Sequence, residues 1–224
     1  MLRNLVLLAA TTRVVVHISS VTCTFALGHR YRPRQDQELE TRPLPTTRHN
    51  EPVLIVVSGL PGAGKSTLAD SVGRALGAAV LSVDPIEAAI WRSGIPPSFE
   101  TGLAAYEVVA TVAEHELRLG LAVVVDAVSS LEVAREMWRK AARRTGAATR
   151  VIEVVCGDEM VHRDRLARRE RDMGGFPEPT WDDVVRRKQE FEPWVDDHLV
   201  LDSVRDTEVN TAEALAFLTT GLER

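Results

Sequence analysis

Eight consecutive residues, Gly59-Leu60-Pro61-Gly62-Ala63-Gly64-Lys65-Ser66, carry the most specific chemical signature in the protein. They satisfy G-x-x-x-x-G-K-[ST] at each fixed position, and Thr67 follows. Such a loop suits one task, the binding of clustered phosphate oxygens. Backbone N–H groups converging from a tight turn meet dense negative charge with no side chain in the way. Glycines at 59, 62 and 64 supply dihedrals that other residues adopt only at a cost. The Lys65 ammonium would reach the β- and γ-phosphates of a nucleotide, and the Ser66 hydroxyl would complete the coordination of Mg²⁺. The spacing therefore predicts that Gly59 to Thr67 binds ATP together with Mg²⁺.

Two carboxylates are candidates to work beside that loop. Asp84 follows the apolar run Ala79–Val83 and opens Asp84-Pro85-Ile86-Glu87, which also reads as a helix capping box. Local sequence alone leaves both readings open. A carboxylate at a strand tip near the γ-phosphate could also orient an acceptor hydroxyl and take its proton. Asp126 ends Val123-Val124-Val125, the apolar-strand-plus-Asp pattern that holds Mg²⁺ through water in phosphate-loop enzymes. The next helix has its own expected cap in Ser129-Ser130-Leu131-Glu132, which leaves Asp126 for the metal or for orienting substrate.

A third cluster is cationic. His162 to Arg171 holds five arginines in ten residues, within a helix expected from about Asp158 to Asp172. Most of them can pair with Asp164, Glu170 and Asp172 on a solvated face. Arg165, Arg168 and Arg169 share one side at helical spacing. Brought over a migrating phosphoryl group, such arginines would stabilise its charge and exclude water. Arg165 and Arg169 are the candidates, and Met173–Pro179 is the expected mobile connection of the lid. His115 and His162 are read as helix-surface residues, and Trp138, Trp181, Phe191 and Trp194 as packing.

These groups need a scaffold. From Val53 onward, strand-like and helix-like stretches alternate, which predicts helices packed on a mostly parallel sheet. Ligands of such sheets sit at the carboxyl ends of the strands, where the loop, Asp84 and Asp126 all fall. The length of 224 residues suits one core, which fixes residues 52–224 as the expected domain. Residues 1–51 differ: two apolar stretches interrupted by Arg13 and His17 precede a proline- and arginine-rich segment. Arg13 spoils both a signal-peptide core and a membrane span, so a poorly ordered extension and linker is expected. Cys23 and Cys156 are too few and too distant for a zinc site or a disulfide framework, consistent with a reducing, cytoplasmic setting. The net charge of −5 disfavours a nucleic-acid partner.

Taken together, these residues resemble the small phosphate-loop kinases of the group that includes chloramphenicol phosphotransferase and the kinase domain of phage polynucleotide kinase. The resemblance covers about Val53 to Ser203. It rests on Gly59–Thr67, Val83-Asp84, Gly102–Tyr106, Val125-Asp126, Cys156-Gly157-Asp158, Phe191–Trp194 and Leu201-Asp202. It implies a three-layer α/β/α P-loop NTPase with five parallel strands in the order 2-3-1-4-5 and a helical lid. It further implies that Asp84 activates an acceptor hydroxyl and that arginines of the 165–169 region contact ATP phosphates. The expected activity is phosphotransfer from ATP to a hydroxyl of a small molecule. Two alternatives remain at this stage: a nucleotide-dependent switch or NTPase with a protein partner, and a polynucleotide 5′-hydroxyl kinase. From residue 53 onward the sequence holds 20 basic and 28 acidic side chains, which counts against the second.

Overall fold

The computed structural model describes residues 52–220 and two short strands before them, β1 (Arg13–Ile18) and β2 (Val21–Ala26). The protein divides into two units, Met1–Leu44 and Pro45–Arg224. In the first, β1 and β2 pair antiparallel from Arg13↔Ala26 to Ile18↔Val21. That ribbon was not expected from sequence; the rest of the expected extension and linker lies outside the described residues.

The second unit is built on a five-stranded parallel sheet of β3 (Val53–Ser58), β4 (Ala79–Ser82), β5 (Val123–Asp126), β6 (Ala148–Val155) and β7 (His198–Asp202). Its order is β4-β5-β3-β6-β7, which is 2-3-1-4-5 when counted from β3. All four pairings are parallel. Seven helices connect and cover it: α1 (Lys65–Leu76), α2 (Val83–Arg92), α3 (Phe99–Arg118), α4 (Glu132–Thr145), α5 (Glu159–Ala167), α6 (Trp181–Gln189) and α7 (Thr207–Thr219). All six residues of β3 are buried, because a central parallel strand is covered on both faces and therefore reads as one apolar run. Alternation along the strands sorts the core in two. Leu54, Val56, Val123 and Val125 pack with Val109, Leu117 and Trp138 of α3 and α4. Ile55, Val57 and Val124 pack with Leu68 and Val72 of α1 and Ala214 and Leu218 of α7. Each such side chain contributes roughly 1.5–3 kcal/mol when fully buried. Among the described residues no helix is long and apolar enough to cross a membrane.

Three helix boundaries differ from the expectation. α2 starts one residue before Asp84, with Ser82 as its N-cap residue, so the Asp84/Glu87 capping box does not form. The Ser82 hydroxyl makes no cap bond either; it donates to Asp126 instead, at 2.9 Å. α4 is preceded by Leu131 rather than capped by Ser129 or Ser130, and its exposed Glu132 N–H donates to the carboxylate of Glu192, sixty residues away. α5 stops at Ala167, so the basic segment is only half helical. Tertiary partners supersede the local caps in the first two cases.

Candidate functional site

The phosphate loop joins the buried strand β3 to α1. Gly59 (φ +150°) lies so close to the neighbouring strand that a Cβ there would sit 2.3 Å from the Val154 carbonyl oxygen. Gly64 (φ +97°) is the left-handed N-cap residue of α1, which turns the first helical N–H groups into the loop. Lys65 and Asp126 are both buried, 4 % and 6 % exposed, with Nζ and Oδ1 4.0 Å apart. Asp126 Oδ2 accepts from Ser82, but Oδ1 has no hydrogen-bond partner among the described residues. A buried carboxylate oxygen left without a donor is costly, and it suits a cation and its water shell. Ser66 lies on the same loop, half-buried, so the donor set fits Mg²⁺.

A cleft of about 440 Å³ opens over this loop, lined by Gly62, Gly64, Lys65, Ser66 and Thr67 on one side. Arg165, Arg169 and Arg171 also line it, together with Ser203, Thr207 and Asn210. α5 is fastened to the loop by His162, which is 5 % exposed, with Nε2 2.8 Å from the Pro61 carbonyl. A carbonyl can only accept, so Nε2 carries the proton. The surface assignment of His162 is thus corrected: its ring is wedged between the loop and the edge of Trp181. His115 is exposed, as read.

The three arginines expected on one helix face, the candidates Arg165 and Arg169 with Arg168 between them, part company. Arg165 donates to Ser203, to the hydroxyl at 2.7 Å and the carbonyl at 2.9 Å, near the start of α1. Arg168 is 79 % exposed and pairs only with Asp164, so it leaves the common face that helical spacing suggested. The helix has ended there, and the irregular backbone beyond Arg168 brings Arg169 and Arg171 to Asp84. Arg171 Nη1 lies 2.7 Å from Asp84 Oδ2, and Arg169 Nη2 lies 4.0 Å from the same oxygen. Glu178 braces both guanidinium groups, at 2.9 Å and 3.6 Å.

Burial alone would raise the Asp84 pKa, but Lys65, Arg171 and Arg169 outweigh it and hold the carboxyl below its ordinary range. Asp84 is therefore ionised at neutral pH. Arg171 was missed because it lies past the expected helical face; only its partners Asp84 and Glu178 could have revealed it.

Arg171 also lines a second pocket of about 320 Å³, with Pro61, Asp84, Glu87, Trp91, Tyr106, Phe176 and Arg187. The back of this pocket is tied by hydrogen bonds. Ser129 sits in the left-handed region (φ +47°) and is fully buried. Its N–H donates to the Tyr106 hydroxyl at 3.4 Å, and its own hydroxyl accepts from Trp138 Nε1 at 3.0 Å. Arg135 ties Ser129 to the segment before β7 by donating to the carbonyls of Ser129, Ser130, Glu192 and Pro193. Trp194 stacks on its guanidinium, 3.8 Å from the ring centroid, so three of the four sequence-noted aromatics pack here or against Ser129.

A parallel sheet in this order, a complete phosphate loop and a cleft closed by arginines define a P-loop NTPase with the fold of the small kinases. The chain belongs to the family described as an AAA domain (AAA_33), whose model matches residues 54–191, more than half of its length. The fold is similar to that of a sugar kinase from Janibacter sp. HTCC2649, with 18% identity, a TM-score of 0.57, and coverage of 77% of this chain and 96% of that one. A gluconokinase from Sinorhizobium meliloti 1021 is similar at 19% identity and TM-score 0.54, covering 76% and 93%. The APS kinase CysC of Mycobacterium tuberculosis, in complex with AMPPNP and APS, is similar at 20% identity and TM-score 0.56, covering 76% and 98%. No curated protein sequence matches this one.

Proposed function

We propose that the protein is an ATP-dependent phosphotransferase whose acceptor is a hydroxyl of a small molecule. One observation carries this reading: Asp84 and Arg171 stand between the phosphate-loop cleft and a second pocket, and Arg171 lines both. A switch protein needs the first cavity only. A phosphotransferase needs two that meet at a carboxylate. The kinases named above share this fold, which supports the reading.

In this mechanism the amides of Gly59–Thr67 and the Lys65 ammonium hold the triphosphate. Ser66 and Asp126 would hold Mg²⁺, which neutralises charge on the β- and γ-phosphate oxygens when bound. Asp84 orients the acceptor hydroxyl and receives its proton as the acceptor oxygen–phosphorus bond forms and the bond to the β-phosphate oxygen breaks. A depressed pKa suits that role, because phosphoryl transfer demands alignment more than a strong base. Arg165, Arg169 and Arg171 stabilise the charge on the transferring group. We place the reaction in the cytoplasm, where thiols such as the free Cys156 stay reduced.

The test is acceptor-dependent ADP release across a panel of hydroxylated compounds, paired with calorimetric titration of magnesium-ATP. Lys65→Ala should abolish the heat of binding. Asp84→Ala should leave it intact and lower acceptor-dependent turnover by about 10²–10⁴-fold. Full turnover in Asp84→Ala would overturn the role of that residue, and ATP hydrolysis indifferent to every acceptor would favour an NTPase.

A further inference from the structure

The pocket beyond Arg171 has charges that its own residues satisfy and two, Glu87 and the exposed Arg187, that have no partner among the described residues. Asp84 is engaged by Arg171, and Glu178 by Arg171 and Arg169. Asp183 accepts from Thr180 and from Arg186. Glu87 has no hydrogen-bond or ion-pair partner among the described residues, although it lines the pocket and is half-buried. It stands three residues after Asp84 on α2, so both carboxylates share one face. Its Oε1 lies over Gly102, where an added Cβ would be 3.5 Å away, so the glycine leaves α3 open beneath it.

The remaining polar group is complementary. The Tyr106 oxygen accepts from the Ser129 N–H, and its proton has no acceptor among the described residues. The wall is aromatic: Trp91 and Phe176 stack at 4.5 Å between centroids, tilted by 29°. The indole N–H of Trp91 is already spent on Thr101 Oγ1 at 3.0 Å, so the ring offers the pocket only apolar surface.

We infer that the acceptor is an uncharged polyhydroxylated compound, a sugar or polyol, with two adjacent hydroxyls held by the Glu87 carboxylate. This rests on the phosphotransfer reading above. An ionised carboxylate only accepts, through two oxygens, and a vicinal diol offers two O–H donors. Tyr106 donates to a further ligand oxygen, and the aromatic wall covers the apolar C–H face of the ligand. A volume near 320 Å³ is at the small end for ligand pockets and suits a single small molecule rather than a polymer. An anionic acceptor fits poorly. Four carboxylates line the pocket against two guanidinium groups, of which Arg171 is doubly engaged; Arg187 is unpartnered but exposed, and its charge already acts on Glu87.

The experiment compares three sets of acceptors in ADP-release kinetics with the full-length protein: neutral sugars and polyols, their carboxylated or phosphorylated counterparts, and amino sugars. Neutral members should stimulate turnover. Glu87→Ala should raise their KM by about tenfold or more, with a much smaller change in the saturating rate and unchanged affinity for magnesium-ATP. Tyr106→Phe should raise KM by about three- to tenfold as a second, independent variant. Stimulation by anionic compounds alone, or by amino sugars alone, overturns this acceptor class while phosphotransfer stands. An unchanged KM in Glu87→Ala overturns the role of Glu87. Bound magnesium-ATP with no response to any hydroxyl compound overturns both this inference and the phosphotransfer reading.

Discussion

Arg171 Nη1 reaches Asp84 Oδ2 across 2.7 Å, and this contact joins the strap behind α5 to the first turn of α2. The strap arginine is thus seated on the nucleotide cleft, on the second pocket and on the carboxylate between them. Two carboxylates, Asp84 and Glu178, and the loss of solvent act on its guanidinium; burial would weaken its hold on the proton, but the carboxylates raise the pKa. Arg171 stays charged throughout. On the proposed mechanism it bears on the transferring group because it lines the nucleotide cleft and holds the carboxylate that faces the acceptor.

Arg171→Ala is accordingly expected to lower acceptor-dependent turnover by about 10²–10³-fold, the range for losing one fixed donor from a site of developing charge. Arg168→Ala, which removes an exposed arginine from the same segment, should stay within about twofold, because exposed ion pairs contribute little. Steady-state kinetics of the two variants side by side decide the matter; equal effects would deny Arg171 a special position.

His162 is expected to couple the lid helix to nucleotide binding. His162→Phe keeps the packing against Trp181 and Gly62 but removes the donor to the Pro61 carbonyl. The loop loses one buried hydrogen bond, about 1–1.5 kcal/mol, so magnesium-ATP affinity should fall by about tenfold. His162→Gln retains an N–H donor and should recover part of it. Calorimetry measures both; a Phe variant that binds like the parent would mean that the loop holds its shape unaided.

The parallel sheet and the phosphate loop were legible in sequence because each rests on local pattern, whereas the strand order followed only from the family resemblance. Val53–Val57 is a continuous apolar run since both its faces are covered, and the glycines of 59–64 announce their own dihedrals. Asp84 was placed near the site, yet the reason given for it locally, a capping box, was displaced when Val83 joined the helix. The extent of the lid helix was misread for a related cause. Periodicity assumed that the helix continued past Ala167, whereas Arg169 and Arg171 are positioned by Asp84 and Glu178, more than eighty residues before and about seven after Arg171. Arg135 carried no signal at all, and Ser129 was read only as part of a helix cap that does not form. A fully buried arginine satisfied by carbonyls is invisible to residue-type patterns, and so is a serine at φ +47°.

Glu87 should leave a signature in the pH dependence of stability. Burial first, and then the charge of Asp84, push its pKa above the ordinary 4.5, with Arg187 pulling the other way. A carboxyl with a raised folded-state pKa favours the native state in its protonated form, and this contribution is lost as pH rises through the folded value. Ionised Glu87 therefore weighs against folding at neutral pH in the absence of a ligand. Glu87→Gln should be slightly more stable than the parent at pH 7, and the difference should vanish below about pH 4 as the parent becomes protonated. Asp84, with its lowered pKa, has the opposite sign: its stabilisation is present at neutral pH and declines in acid. Urea midpoints at pH 7 and pH 4 test the pair, and a Glu87→Gln variant less stable at neutral pH would contradict the unpartnered carboxylate.

Arg135 should be the most sensitive position outside the clefts. The residue is 1 % exposed, and its guanidinium is held by four main-chain carbonyls and the Trp194 ring, with no ion pair to a carboxylate among the described residues. Burial lowers its pKa, partly opposed by Glu132, Glu192, Glu153 and Asp196. Arg135→Met fills much of the volume but strands the four carbonyls without donors, which should cost about 3 kcal/mol. Arg135→Lys should lose nearly as much, because an ammonium cannot span the planar fork of acceptors. The urea midpoint should fall with an unchanged m-value. Ser129 would then be released from the φ that aims its N–H at Tyr106, so the surviving folded protein should also bind acceptor more weakly while its affinity for magnesium-ATP holds. A variant that loses stability and keeps its acceptor KM would show that Tyr106 is positioned by Trp138 alone, on which it stacks at 5.4 Å.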